Sequence, residues 1–294
     1  MNKLVFNVYR VLVPKPLRTV ILKKTLRKKI LKHFSSLPER EVNDEQREVL
    51  KFLENNPVKI FPYPFYDNYS PDNIEVFYDN EKGMRYVLQE GKKLYFKRRW
   101  GEKRIKRAYS DLVREQDVRS PHRYLTDSFT VSNDDIIADI GAAEGNFSLS
   151  VIEKVTKICL FEYDPEWTEA LRATFAPWAE KVEIINKFVS DHNDESHIRF
   201  DTFFEERNDI NFLKIDVDGA ESIVLDSCNN VFKTGSTFKV ALCTYHKNND
   251  ETDFTHLMEE HGFKVTPSEG YMIHYYDKKI KAPYLRRGLI RAVR

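Results

Sequence analysis

The stretch Asp139-Ile140-Gly141-Ala142-Ala143-Glu144-Gly145 decides how this chain folds. It closes the apolar run 135–139 and opens onto a second apolar segment, so it predicts a strand, a tight turn and a helix. Gly141 lets the backbone turn tightly beside a ligand, and Gly145 lets the helix begin close to the sheet. Further along, apolar runs end at Ile140, Phe161, Val189, Ile215 and Thr244, with helical segments between most of them. That alternation predicts an α/β, Rossmann-like, mostly parallel sheet wound on both faces. Two more strands are expected at 263–266 and 271–275, joined by a turn through Pro267 and Gly270. A hairpin finish of this kind does not belong to the dehydrogenase version of the fold.

Ligands of an open parallel sheet bind beyond the carboxyl ends of its strands, so the residues after each apolar run carry the chemistry. Glu162 ends the second run, 17 residues beyond Gly145. An acid there accepts hydrogen bonds from both hydroxyls of a ribose. Loop and acid together predict a nucleoside-containing cofactor held by Asp139, Gly141, Ala142, Glu144, Gly145 and Glu162. The third strand, 182–189, finishes at Ser190-Asp191, where an adenine ring would lie. After the fourth come Asp216-Val217-Asp218-Gly219-Ala220-Glu221, with Asp216 closing the strand and Glu221 on the first turn of the next helix, so both carboxylates face one cavity. The fifth ends in Thr244-Tyr245-His246-Lys247. A lone histidine is more often structural than catalytic, but one at a central strand end opposite two carboxylates makes His246, Asp216 and Glu221 the candidate catalytic set.

The ordered segments DIGAAEGNFSLS, LFEYD, DTFFEE, INFLKIDVDGAESIVL and CTYHK resemble the FkbM-type family of methyltransferases, over about residues 134–276. The family usually has Asn where Ala143 stands and Glu where Asp218 stands. The resemblance implies a class I methyltransferase fold with a seven-stranded sheet, S-adenosylmethionine as cofactor, and O-methylation of a sugar, polyketide or related hydroxylated metabolite. On that reading His246 or Asp216 accepts the hydroxyl proton and Glu221 makes a second polar contact. No metal set is expected, since no paired Asp-Asn follows the fifth strand; a divalent ion on Asp216 stays an alternative. A nicotinamide-dependent oxidoreductase and a non-catalytic scaffold of a glycan-assembly complex are the rival readings. Methylation of a nucleic acid is disfavoured, because the turn after the fourth strand lacks a Pro-Pro-aromatic signature.

Charge is unevenly placed. Residues 1–38 hold ten Lys or Arg and no acid, and 278–294 hold seven and no acid, which leaves 30 basic against 46 acidic side chains in 39–277. Three segments are therefore expected: an accessory region of helices and short antiparallel strands at 1–125, the cofactor-binding domain at 126–277, and a basic tail at 278–294. Over residues 16–34, Leu17, Val20, Ile21, Leu26, Ile30, Leu31 and Phe34 recur at helical spacing among lysines and arginines. Two readings of this helix stand side by side: docking on an anionic membrane surface, suited to a lipid-linked acceptor, and packing on its own domain. Residues 92–107 carry nine basic side chains interleaved with Tyr95, Phe96 and Trp100, which could cradle a polyanion. No stretch is long and apolar enough to span a membrane, the start lacks a secretory apolar core, and Cys159, Cys228 and Cys243 lie apart in apolar runs. A cytoplasmic protein is expected, in solution or at the inner face of a membrane.

Overall fold

A computed structural model describes residues 15–234 and 237–294. Helix α1 (Lys15–Ser35) is followed by α2 (Asp44–Asn55). Helix α2 starts at a capping box: the Asn43 side chain accepts from the Gln46 N–H at 2.8 Å, and the Gln46 side chain accepts from the Asn43 N–H at 3.0 Å. An aromatic, proline-rich loop leads to an antiparallel sheet of β1 (Phe77–Asp79), β2 (Met84–Gln89) and β3 (Lys92–Tyr95), and then to α3 (Glu102–Glu115). The basic run 92–107 is thus divided between a strand, a turn and a helix. Part of its charge is paired within the chain, by the buried Lys97 on Asp164 and, at the surface, by Arg98 on Glu169 and Arg99 on Glu166.

The second half alternates as expected: β4 (Ile136–Ile140), α4 (Asn146–Val151), β5 (Lys157–Phe161), α5 (Pro165–Thr174), β6 (Val182–Ile185), β7 (Phe188–Val189), β8 (His197–Ile198), α6 (Phe200–Glu206), β9 (Phe212–Ile215), α7 (Glu221–Asp226), α8 (Asn229–Lys233), β10 (Lys239–Cys243), α9 (Asp250–Glu260), β11 (Lys264–Pro267) and β12 (Leu289–Val293). Seven of these strands form one sheet in the order β11-β12-β10-β9-β4-β5-β6. Every pairing is parallel except those of β12, which runs antiparallel to both β10 and β11. This is the class I methyltransferase arrangement. The strand order reverses between β4 and β9, and the crevice above that reversal is where such sheets bind ligands. Strands β4, β9 and β10 are almost wholly buried because helices and loops cover both faces.

Three expectations are corrected. The closing strand is 289–293, not 271–275. Tyr271, Met272, Ile273 and Tyr275 turn away to join Leu26, Ile30, Phe34, Val49 and Leu53 in a third core, so α1 and α2 pack on the segment before the last strand. The basic tail is consequently no tail. Arg291 lies inside β12 and donates to the carbonyls of Tyr124 (3.0 Å) and Arg123 (2.5 Å), while Arg286 pairs with Asp277 and Arg287 with Glu45. Finally, the third strand of the main sheet stops at Ile185, because the Asn186 amide donates to the carbonyls of Glu162 and Tyr163. Residues 188–189 then pair with 197–198 as a separate two-stranded ladder.

Candidate active site

The loop after β4 is forced by its neighbours. Gly141, Ala143 and Gly145 adopt left-handed backbone, with φ of 78°, 47° and 78°. A Cβ on Gly141 would lie 2.1 Å from the carbonyl oxygen of Asp216, so only glycine lets the ends of β4 and β9 pass. On Gly145 it would lie 2.7 Å from Leu171 Cδ2, so this glycine seats α4 against α5. Ala143 holds its conformation at a strain of about 1 kcal/mol, in a region that Asn tolerates better.

Glu162 faces this loop. Its carboxylate accepts the N–H of Ala143 at 3.0 Å and that of Asp164 at 2.7 Å, and burial raises its pKa against those two bonds. The N–H groups of Gly141 and Ala142 both donate to Phe161 O at 3.1 Å. Asp139 is only 1% exposed and is engaged within the fold: Ser148 donates to it at 2.7 Å, and Lys214 Nζ lies 3.0 Å away. Its expected part in holding a ligand becomes one of holding the loop. Lys214 also donates to Gly141 O at 2.7 Å and so ties β9 to the turn. Glu144 is half-buried, and burial together with the neighbouring Glu115 charge raises its pKa to about 7. Ser190 and Asp191 hydrogen-bond each other at 3.2 Å, but they follow β7 rather than a strand of the main sheet.

At the ends of β9 and β10 the expected set converges. Tyr124 donates its hydroxyl to Asp216 at 2.8 Å, His122 Nε2 lies 3.5 Å from the same oxygen, and Tyr245 donates to the other oxygen at 3.5 Å. Burial opposes the charge on Asp216, but His122, Lys214 and His246 outweigh it and hold the carboxyl far below its ordinary range. Asp216 is therefore a fixed anion and a poor base. Glu221 is fully buried; one of its oxygens accepts the N–H groups of Val217 (3.1 Å) and Gly219 (3.2 Å) and lies 2.9 Å from His246 Nδ1. That oxygen positions the turn and stands against the imidazole, while the other, buried beside it, has no hydrogen-bond partner.

Neither ring nitrogen of His246 makes a well-aligned hydrogen bond: Nδ1 meets Glu221 only as the close ion-pair contact, and Nε2 lies 3.9 Å from Asp216 and 3.8 Å from Asp218. Burial lowers its pKa, yet the hydrogen bond and charge of Glu221, with Asp216 and Asp218, raise it above the ordinary 6.5. His274 packs edge-on to His246, and burial, followed by the His246 and Arg286 charges, lowers its pKa to about 4. Tyr245 and Tyr276 complete an aromatic wall.

Lys214, His122, Tyr124 and Tyr245 escaped the sequence reading. A lysine inside the apolar run FLKI was the signal for the first, since a charge on a fully buried strand needs a buried partner. No periodicity marked His122 and Tyr124. A groove of about 1040 Å³, lined by Tyr63, Arg119, Arg123, Thr266 and Arg291, lies elsewhere and includes none of the site residues.

The model of the methyltransferase FkbM domain matches residues 174–265, which contain β9, the Asp216 to Glu221 turn, β10 and His246. Over that span the chain is similar to the FkbM-type methyltransferases. The glycine loop and Glu162 precede the matched residues. Among solved structures, methyltransferase FkbM of Methylobacillus flagellatus KT is similar at 13% identity, over 66% of this chain and 53% of that one, with a TM-score of 0.46. The chain thus spans about half the length of that protein. Precorrin-6y C5,15-methyltransferase of Geobacter metallireducens GS-15 is similar at 15% identity, over 55% and 81%, with a TM-score of 0.38. Streptococcus pneumoniae Sp1610, solved with S-adenosyl-L-methionine, is similar at 14% identity, over 55% and 65%, with a TM-score of 0.35. None of the curated proteins compared matches the sequence.

Proposed function

We propose that the chain moves a methyl group from S-adenosylmethionine to a hydroxyl oxygen of a saccharide or related metabolite. The observation that carries this reading is the unpartnered Nε2 of His246, whose Nδ1 lies 2.9 Å from the buried Glu221 carboxylate and which stands opposite Asp216, a carboxyl held far below its ordinary range by the surrounding cations. When bound, S-adenosylmethionine supplies an electrophilic methyl on a sulfonium. The residues present fit it: Glu162 is pinned by two backbone N–H groups beside the glycine loop and keeps lone pairs for two ribose hydroxyls. Ser190 and Asp191 are assigned to the adenine side.

The chain's own work is alignment and proton removal. His246 Nε2 takes the hydroxyl proton, and Glu221 keeps the other ring nitrogen protonated and the ring in place. Asp216 stabilises the imidazolium so formed, while Tyr124 and His122 hold Asp216 still. The antiparallel β12 and the absence of a middle glycine at Ala143 weigh against a nicotinamide enzyme, and the oriented Glu221–His246 pair weighs against a bare scaffold.

Helix α1 supports peripheral attachment near a lipid-linked acceptor. Leu26, Ile30 and Phe34 anchor its second half, whereas Leu17, Val20, Ile21 and Leu22 are exposed beside Lys24, Lys28 and Lys29. No helix among the described residues is long and apolar enough to cross a membrane.

The deciding experiment combines equilibrium binding of S-adenosylmethionine against NAD with transfer of labelled methyl to a fractionated cell extract. Binding of NAD instead, or label on nitrogen or carbon of the product, would overturn the assignment.

A further inference from the structure

The segment Asp191-His192-Asn193-Asp194-Glu195-Ser196-His197, between β7 and β8, gathers two imidazoles and a carboxylate whose ligand atoms all lie within 4.8 Å of one another. We infer that His192, Asp194 and His197 form a surface site for a divalent transition metal of the zinc class, built from ligands other than His246, Asp216 and Glu221 and adjoining the Ser190-Asp191 pair.

The geometry is that of a metal site and its supporting shell. His192 Nδ1 lies 2.8 Å from Asp191 Oδ1, which directs the opposite nitrogen, Nε2, to within 3.4 Å of Asp194 Oδ2. His197 presents Nδ1 at 2.9 and 3.1 Å from the two Asp194 oxygens. Donors at zinc bond lengths around a tetrahedral centre stand roughly 3.3 Å apart, so small side-chain rotations bring the three onto one ion. Asp191 then acts as the carboxylate behind a ligating histidine, which fixes its tautomer and raises its basicity.

The loop holds this arrangement through its backbone. The Asp194 carboxylate accepts the N–H groups of Ser196 and His197 at 2.7 Å each, and the Asp194 N–H donates to His197 O at 3.0 Å. The Asn193 side chain accepts the Arg199 N–H at 2.8 Å and donates to Thr202 at 3.1 Å. The His197 ring stacks on Phe188 and Phe188 on Tyr163, with centroids 5.6 and 4.2 Å apart. Lys187 Nζ bonds the carbonyl of Asp194 and leaves its carboxylate to the histidines. Two imidazoles with one carboxylate select zinc, nickel or copper over magnesium or calcium, and three protein ligands leave a position open to water. The two rings sit 4.5 Å apart, so both present nitrogens to the Asp194 carboxylate.

The test uses the full chain without an affinity tag, stripped with a chelator and titrated with Zn²⁺ by calorimetry and with Co²⁺ by absorbance. One equivalent should bind, and Zn²⁺ should protect His192 and His197 of the unaltered protein from diethylpyrocarbonate. His192→Gln and His197→Gln should each lose that equivalent. Asp191→Asn, which keeps all three ligands, should weaken binding about 10–100-fold. His246→Gln should leave it intact. No saturable binding, an equivalent that survives His192→Gln with His197→Gln, or one lost instead in His246→Gln would overturn the proposal.

Discussion

Replacement of Lys214 by methionine tests whether a buried ion pair holds the cofactor loop. The ammonium is 5% exposed and Asp139 1%, with 3.0 Å between them. Burial alone would lower the lysine's pKa, but the Asp139 and Asp216 charges raise it above its ordinary value. Methionine keeps the length of the side chain and removes the charge, so Asp139 is left buried with Ser148 as its remaining hydrogen-bond donor. Breaking one side of such a pair costs about 3–5 kcal/mol. For a chain of this size each kcal/mol lowers Tm by roughly 2–4 °C, so Lys214→Met should melt roughly 6–20 °C early. Asp139→Asn on the same background should recover much of the loss, because the amide still accepts from Ser148 and needs no counter-charge. Circular dichroism followed through heat and urea unfolding measures both variants. A single variant within about 1 kcal/mol of the parent, or a double variant whose loss is the sum of the two singles, would refute the coupling. S-adenosylmethionine affinity should fall with the single change, since Lys214 also holds the carbonyl of Gly141.

His246→Asn should lower kcat about 10²–10⁴-fold while leaving the Kd for S-adenosylmethionine within about twofold, measured by single-turnover kinetics and calorimetry. Because Glu221 and the nearby aspartates outweigh burial and raise the His246 pKa, the parent rate should climb with pH through a value above 6.5, where the imidazole becomes free to accept a proton. The stability from this pair has the opposite course, being fully present below 6.5 and lost as pH rises through the folded pKa. Glu221→Gln keeps an acceptor for Val217 and Gly219 but removes the charge, so the rise in rate should move to lower pH; an unmoved profile would exclude Glu221 as the positioning group. Glu144 is raised from 4.5 to about 7 chiefly by burial, so its ionisation opposes folding as pH climbs between those values. Glu144→Gln should therefore add up to roughly 3 kcal/mol at pH 8 and nothing below pH 4, read from urea midpoints. Serine at Leu17, Val20 and Ile21 together should abolish co-sedimentation with anionic vesicles without changing Tm, and unchanged co-sedimentation would leave α1 as a packing helix only.

The alternation of strands and helices from β4 to β10, the glycine loop, Glu162 and the convergence of Asp216 with His246 were legible in the chain, because each depends on local signals. Apolar period marks the elements, and the residue after a parallel strand stands at the ligand rim whatever packs behind it. What only the tertiary structure decided was which neighbours those residues meet. Asp139 proved engaged by Lys214 and Ser148, and Glu221 by the turn and the imidazole, since burial and hydrogen bonding depend on partners far along the chain. His122 and Tyr124 reach Asp216 across more than ninety residues of sequence, a contact no spacing encodes. The last strand escaped notice for the same reason. Arg291 breaks the apolar pattern of 289–293, and only the carbonyls of Arg123 and Tyr124, brought near by the fold, make its burial affordable.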